Sequence, residues 1–260
     1  MTSFNSHVLI ARDISAVFAN GDKGLRALER VSFSVDPQQF VCVLGPSGSG
    51  KSTLLRILAG LLLPTKGKVI FEGDDLTGPR REIGIVFQKA NLMPWRSVLE
   101  NVHLPLELME IPRAEIKTRA QALVDLVGLD GFEHWLPRDL SGGMAQRVAI
   151  ARALVHDPDV LLLDEPFGAL DALTRERMSV ELRRIWQARR KTVVMVTHDI
   201  SEALFLADRV LVLSPRPGKV LLDLSVNLER PRDEDIRYSE AFVNLSRQLR
   251  AAIKEDTVNR

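Results

Sequence analysis

Apolar and polar positions near the start of the chain follow a pattern that favours β structure. Between Val8 and Val35, two short β-prone segments, residues 14–18 and 31–35, flank a polar turn at residues 20–24. Strand-like segments joined by a turn rich in Asn, Gly and Asp are typical of antiparallel neighbours. The pattern therefore predicts an antiparallel β region at the start of the fold.

A different pattern begins at the continuous apolar run 40–44, which has the length and composition of a buried strand. A glycine-rich loop follows this run, and a helix is predicted over about residues 52–59, closed by Gly60. The predicted order is therefore strand, loop, helix.

The middle of the chain has a helical period. Apolar residues at helical spacing predict a helix over about residues 114–127, and a second helix-rich stretch covers about 141–154. Strand-like and helix-like segments resume at residues 160–163 and 192–197. Between these two strands, Met178, Leu182 and Ile185 mark one face of a helix. Apolar strands separated by helices are typical of a parallel sheet that is buried on both faces.

These patterns together predict an α/β fold. It consists of a core with a parallel sheet, an N-terminal antiparallel β subdomain and an inserted helical subdomain. We expect one domain over residues 8–225, with the helical insert at 89–157. Residues 226–260 are polar and charged, so we expect a loosely packed C-terminal tail with one short helix.

Composition narrows the classes of protein that remain. The 260 residues are 45% hydrophobic and 27% charged, and 35 basic side chains balance 34 acidic ones to a net charge of +1. This is the composition of a globular protein, and it gives no electrostatic footprint for nucleic acid, so no nucleic-acid partner is expected. Cys42 is the sole cysteine and lies in an apolar run, so it is expected to be a buried core residue.

The N-terminal residues bear on the location of the protein. Residues 1–7 have neither the basic nor the apolar region of a secretory signal. The apolar runs are far shorter than the roughly 18 residues that a membrane-spanning helix needs. We therefore expect a cytoplasmic protein whose role at a membrane, if it has one, is played through a partner chain.

The loop after the strand at 40–44 has the residue types of a phosphate-binding P-loop. Glycines there allow backbone N–H groups to turn toward phosphate oxygens, the Lys51 ammonium reaches the β- and γ-phosphates, and the Ser52 hydroxyl can hold magnesium. The alternative is a glycine turn that happens to precede a helix, but the strand before the loop favours the motif. The predicted nucleotide-binding residues are Gly45, Pro46, Ser47, Gly48, Ser49, Gly50, Lys51, Ser52 and Thr53.

Two carboxylates end the apolar run at 160–163. Asp164 is a candidate ligand of magnesium, directly or through water, and Glu165 can orient or deprotonate an attacking water molecule. The alternative is a strand that ends in a capping acid, which two consecutive acids followed by Pro166 make weaker.

A third motif begins at Ser141, which precedes Gly142 and Gly143 at the start of a predicted helix. A serine hydroxyl and glycine N–H groups at a helix N-terminus form an anion site, although Ser141 can also be a simple N-cap. Residues 140–147, Leu-Ser-Gly-Gly-Met-Ala-Gln-Arg, resemble the signature of the ATP-binding cassette (ABC) family. The resemblance covers about residues 8–224 and implies a P-loop NTPase core.

Roles for further residues follow from this resemblance. Ser141, Gly142 and Gly143 would bind the γ-phosphate of ATP held by the opposite subunit, and Asp171 would lie in the loop that crosses the dimer interface. Gln88 would link the magnesium site to the helical insert. His198 would contact the γ-phosphate, and Phe18 would stack on adenine, although an aromatic residue on an edge strand explains Phe18 nearly as well.

The resemblance also implies cofactors and partners. These are ATP, Mg²⁺, a second ATPase subunit in a homodimer, the permease subunits of a transporter and, indirectly, an extracytoplasmic solute-binding protein. The protein would then lie on the cytoplasmic face of a bacterial membrane. The loop after Gln88 would dock the permease, where Trp95 is either an aromatic anchor or a side chain packed inside the insert.

Three short segments, residues 87–95, 100–102 and 213–218, resemble the ATPase subunits of nitrate, sulfonate and taurine importers. Residues 37–39, Pro-Gln-Gln, depart from the glycine and glutamate that relatives have before the P-loop strand, which puts the turn there in doubt but not ATP binding. An exporter or membrane-remodelling ATPase stays open as an alternative. A soluble ABC ATPase acting on DNA or ribosomes and a P-loop kinase fit less well, because the first carries a coiled coil or a second cassette and the second has no use for Ser141.

Overall fold

The computed structural model of the protein describes residues 7–19 and 24–258. Its backbone divides into two units, one made of residues 1–80 and 192–260 and the other of residues 81–191. Each unit contains both strands and helices.

The first unit begins with a four-stranded antiparallel sheet and continues into the strand and helix on either side of the glycine-rich loop. The sheet has the order β2-β1-β4-β5, and its strands are antiparallel to their neighbours. The elements are β1 Leu9–Phe18, β2 Leu25–Val35, β3 Phe40–Leu44, α1 Lys51–Leu58, β4 Lys66–Phe71 and β5 Asp74–Asp75. The predicted antiparallel region is confirmed, and residues 20–23 of its predicted turn lie outside the described residues.

The second unit contains two parallel strands and four α-helices. Its elements are β6 Ile83–Val86, α2 Val98–Leu108, α3 Arg113–Leu126, α4 Gly142–Leu154, β7 Val160–Asp164 and α5 Ala172–Arg189. Helix α2 packs against both α3 and α4. These positions confirm the predicted helices near 114–127 and 141–154, and α2 to α4 lie within the residues predicted as the insert. The boundaries of the domain and of the insert stay predictions.

The first unit is completed by residues 192–258. Its elements there are β8 Thr192–Thr197, α6 Ile200–Leu206, β9 Arg209–Leu213, β10 Val220–Ser225 and α7 Glu240–Val258. Strand β3 lies between β8 and β9 and is parallel to both, while β10 pairs with β9 in the antiparallel direction. Every residue of β3 and β8 is buried, as expected for parallel strands covered on both faces. Within the described residues, no helix combines the length and the apolar character needed to cross a bilayer.

The segment that leads into α7 and the first half of α7 are packed, and the prediction of a loose tail with one short helix is wrong. Helix α7 has 19 residues, and its Phe242 and Leu249 are buried. Arg232, in the charged run before α7, is only 1% exposed. Its guanidinium donates hydrogen bonds to the backbone carbonyls of Leu204, Phe205, Ala207, Val226 and Leu228.

Burial lowers the pKa of Arg232 to about 10. The charge is tolerated because the carbonyl oxygens replace the water that the guanidinium loses. Composition alone could not reveal this role, since a charged run is normally a solvated one.

We predict that Arg232→Ala lowers the free energy of unfolding by about 3 kcal/mol, because buried carbonyl groups lose their donor. Chemical denaturation followed by circular dichroism would measure the change. Arg250→Ala, an exposed arginine on α7, is the matched control and should alter stability by less than about 0.5 kcal/mol. Equal stability of the two variants would contradict the role assigned to Arg232.

Candidate functional site

The glycine-rich loop joins the end of β3 to the start of α1 through backbone conformations that require glycine. Gly48 and Gly50 have φ angles of 78° and 93°, which lie in the left-handed region. An ideal Cβ placed on Gly50 would lie 2.8 Å from the carbonyl oxygen of Ala27. On Gly45, it would lie 2.9 Å from the Oγ of Ser49. The loop therefore holds its path only without side chains at these positions.

Lys51 is buried at the first residue of α1, with 4% of its surface exposed. Its Nζ donates hydrogen bonds to the carbonyl oxygens of Gly45, at 2.9 Å, and Pro46, at 3.0 Å. The hydroxyl of Ser49 is also buried, and in the described part of the chain it has no hydrogen-bond partner. A cation held across a glycine loop beside an unsatisfied hydroxyl fits a bound phosphate chain. Ser52 and Thr53 follow, half-buried in the first turn of α1.

Phe18 and His198 belong to the same unit as the loop. Phe18 is the last residue of β1 and is 38% exposed, so its ring is accessible for stacking. His198 is exposed and comes directly after β8, while Asp199 caps α6 by accepting hydrogen bonds from the N–H groups of Ser201 and Glu202. The roles assigned to Phe18 and His198 stay predictions.

The second unit contains the predicted carboxylates. Asp164 is the buried last residue of β7, and Glu165 follows it with a φ of 41°. A left-handed backbone is uncommon for a residue other than glycine, and strained residues of this kind are enriched at functional sites. The side chains of Gln88 and Glu165 both lie against Gly168. A Cβ placed on Gly168 would lie 3.3 Å from Nε2 of Gln88 and 3.4 Å from Oε2 of Glu165.

The signature segment lies beside the loop that contains Asp171. Ser141 is the exposed N-cap of α4, and its Oγ accepts a hydrogen bond from the N–H of Met144. A Cβ placed on the neighbouring Gly142 would lie 3.2 Å from Cδ2 of Leu170. Asp171 is the N-cap of α5, and the hydrogen bond from the N–H of Thr174 lowers the pKa of its carboxyl group.

Gly143 is the buried member of the signature. A Cβ placed there would lie 3.4 Å from Cγ2 of Thr174 and 3.7 Å from the sulfur of Met178. Side chains of α5 therefore pack over Gly143, while Ser141 and Gly142 are exposed. The N-cap residues of the two helices, Ser141 and Asp171, are both exposed.

Two residues of α4 hold the segment around Gln88, a role that the sequence assigned to neither of them. Arg152 donates hydrogen bonds to the carbonyl oxygens of Asn91, at 2.9 Å, and Ala90, at 2.6 Å. Gln146 donates to the carbonyl oxygen of Phe87 at 3.4 Å. Burial lowers the pKa of Arg152 from its usual value. No sequence signal distinguishes Arg152 from a surface arginine.

We predict that Arg152→Ala increases the amide hydrogen exchange of residues 89–93 by about tenfold, because the segment loses two charge-assisted hydrogen bonds. Mass spectrometry of the exchanged peptides would measure it. Arg119→Ala, which removes a half-exposed arginine paired with Glu115 on α3, is the control and should leave this segment unchanged. Equal exchange in the two variants would mean that Arg152 does not hold the segment.

Comparisons with known proteins agree with this geometry. The family model described as ABC transporter matches residues 28–168. The chain is 46% identical to the taurine import ATP-binding protein TauB of Rhizobium johnstonii, over 93% of this chain and 95% of that protein. It is 48% identical to the nitrate import ATP-binding protein NrtD of Synechocystis sp., over 88% and 86%.

Among solved structures, a dimeric post-hydrolysis state of an ATP-binding cassette bound to ADP and Pi matches with a TM-score of 0.75 and 34% identity. The match covers 85% of this chain and all of that one. The family model spans more than half of the chain, and the curated relatives extend over most of it. The chain therefore belongs to the ATP-binding subunits of the ABC transporter family.

Proposed function

We propose that this chain binds and hydrolyses ATP to energise an importer of nitrate, a sulfonate such as taurine, or a similar small solute. The observation that carries the ATP-binding part is the glycine loop with the buried ammonium of Lys51 held at its carbonyl groups. The import direction and the class of solute come from the relatives, which import taurine and nitrate. At neutral pH nitrate is an oxyanion, and taurine is a zwitterion that carries an oxyanionic sulfonate group.

The first step is the binding of Mg-ATP. Backbone N–H groups of the glycine-rich loop and the start of α1 surround the phosphates, and the Lys51 ammonium exchanges its carbonyl partners for the β- and γ-phosphate oxygens. The Ser52 hydroxyl and the Asp164 carboxylate would hold the magnesium ion, with Gln88 as a further ligand. Magnesium, when bound, neutralises charge that builds up on the phosphates. Phe18 stacks on the adenine.

Hydrolysis needs a water molecule aligned with the γ-phosphorus. The Glu165 carboxylate orients this water and accepts its proton, and the Gln88 amide lies beside it at Gly168. His198 donates a hydrogen bond to the γ-phosphate.

Two copies of the chain close on two nucleotides. Ser141, Gly142 and Gly143 of one subunit contact the γ-phosphate held by the other, and Asp171 lies at the same interface. The accessible positions of Ser141 and Asp171 support this arrangement, as does the dimeric form of the related cassette. A homodimer therefore contains two composite sites.

The helical segment faces the rest of the transporter. Trp95 is 74% exposed, so it does not pack inside the insert, which was the alternative to an anchor role. An exposed tryptophan is a strong candidate for burial against a partner. We propose that it contacts the permease, with the chain bound peripherally to the cytoplasmic face of the membrane. An extracytoplasmic solute-binding protein would act through that permease.

We predict that Lys51→Ala lowers the ATPase rate at least about 100-fold, because the main cationic contact to the β- and γ-phosphates is lost. Phosphate release by the purified protein measures this. Lys66→Ala, an exposed lysine of β4, is the control and should keep the wild-type rate. Unchanged hydrolysis in the Lys51 variant, free of contaminating ATPases, would exclude the proposed function.

We also predict that Glu165→Gln binds ATP but hydrolyses it slowly, so that the ATP-bound dimer accumulates. Light scattering with ATP, with ADP and without nucleotide would show a dimer with ATP alone. Adding Ser141→Arg should prevent this dimer, because the arginine blocks the opposing phosphate site. Thr118→Arg, at an exposed position on α3, should leave it intact. An ATP-dependent dimer that tolerates Ser141→Arg would contradict the head-to-tail arrangement.

A further inference from the structure

The connection between β9 and β10, residues 214–219, packs against the nucleotide-binding loop, and we name it the strap. Gly218 in the strap donates a hydrogen bond to the carbonyl of Ala27 at 2.9 Å and accepts one from the N–H of Glu29 at 3.0 Å. An ideal Cβ placed on Gly218 would lie 2.2 Å from the carbonyl oxygen of Ser49. The strap therefore lies on the backbone of the loop with no room for a side chain at this point.

The strap is held in shape by its own first residue. Ser214 is buried, and its hydroxyl lies 2.8 Å from the carbonyl oxygens of both Pro215 and Pro217. The same hydroxyl accepts a hydrogen bond from the N–H of Lys219 at 3.0 Å, and the N–H of Ser214 donates to the carbonyl of Lys219 at 2.9 Å. These contacts hold the conformation of the strap, and none of them involves the side chain of Arg216.

Arg216 is the residue at the tip of the strap, and its side chain reaches the nucleotide-binding loop. Its Nε donates a hydrogen bond to the carbonyl oxygen of Gly48 at 3.2 Å. Its Nη2 lies 3.2 Å from the point where a Cβ on Gly48 would stand. The guanidinium group thus rests on a left-handed glycine in the middle of the phosphate-binding motif.

We propose that Arg216 is a positioning residue for nucleotide binding. Because a trans peptide unit points its C=O and its N–H in opposite directions, a donor that holds the Gly48 carbonyl outward also fixes the direction of the next N–H group, that of Ser49. Without Arg216, the peptide unit between Gly48 and Ser49 keeps the hydrogen bond that the N–H of Ser49 donates to the carbonyl oxygen of Pro46, at 3.2 Å. Its carbonyl side then has more freedom, since Gly48 accepts many conformations. Part of the free energy of ATP binding must then go into ordering this peptide unit, which Arg216 otherwise orders before ATP binds.

This inference rests on the proposed function of the loop as an ATP site, but it assigns a role to a residue outside the motif. The strap keeps its Ser214 and Gly218 contacts when Arg216 is shortened, so the fold is expected to remain. The effect should therefore appear in nucleotide affinity and not in stability. The competing explanation is that the positive charge of Arg216 attracts the phosphates from a distance. Lys219 tests this explanation because it is a second cation in the same strap, where it pairs with Glu29.

The experiment measures the Kd of a non-hydrolysable ATP analogue with magnesium by calorimetry, and kcat and KM for ATP, on four variants. Arg216→Ala should raise Kd and KM by about 3- to 10-fold, the factor expected for a partly exposed hydrogen bond from a charged group. It should change kcat by less than about twofold, because no group that contacts the reacting atoms is altered. Arg216→Gln keeps a donor without the charge and should restore Kd to within about twofold of the wild type.

The remaining two variants distinguish a failure of the inference about Arg216 from a failure of the proposed ATP site. Lys219→Ala should leave Kd unchanged, and Lys51→Ala should weaken binding strongly. A wild-type protein that does not bind the analogue would defeat the proposed function itself. If the wild type binds it and Arg216→Ala binds equally well, only the inference about Arg216 fails. It also fails if Arg216→Gln is as weak as Arg216→Ala, if Lys219→Ala weakens binding equally, or if Arg216→Ala lowers the melting temperature in step with its affinity.

Discussion

The backbone turn between β3 and α1 is the constraint on which the first unit depends. A strand buried along its whole length must deliver the chain directly into a helix, and the loop between them has glycines where a Cβ would collide with Ala27 or Ser49. The buried ammonium of Lys51 then satisfies the carbonyl groups that the tight turn exposes. The same geometry that solves this packing problem leaves a buried cation and an unsatisfied Ser49 hydroxyl beside a glycine loop at a helix N-terminus, an arrangement that fits a phosphate chain.

The sequence predicted the parts of the molecule in which residue type dictates conformation. Left-handed glycines, a continuous apolar strand and a helix N-cap each have a local physical cause, so β3, its loop, α4 and β7 could be placed without the structure. Residue types could not predict that Gln88 and Glu165 both lie against Gly168, because this depends on how residues nearly eighty positions apart approach one another. The resemblance to a family supplied the role of Gln88, and the structure supplied its neighbour.

The sequence failed where a charged side chain serves the backbone of a distant segment. Arg232 binds carbonyls of residues 204–207, Arg152 binds those of 90 and 91, and Arg216 binds that of Gly48. The polar and charged composition of residues 226–260 suggested a solvated segment. Nothing local in the sequence marks these three arginines, since their partners are carbonyl groups, which every residue carries. For that reason the tail was predicted to be loose although α7 and Arg232 are packed.

Arginine is suited to this task for a physical reason. Segments that leave regular structure have carbonyl groups without N–H partners in a ladder, and each one that is buried must find a donor. A guanidinium carries five N–H donors in a planar fork, so one side chain can satisfy several carbonyls at once, whereas a lysine presents a single ammonium centre. The conformation of each such segment then depends on one arginine that is far away in sequence. Arg216 and Arg152 hold segments to which function is assigned, the nucleotide-binding loop and the segment after Gln88. A change in the strap or in α4 therefore alters these segments without touching a residue of the predicted site.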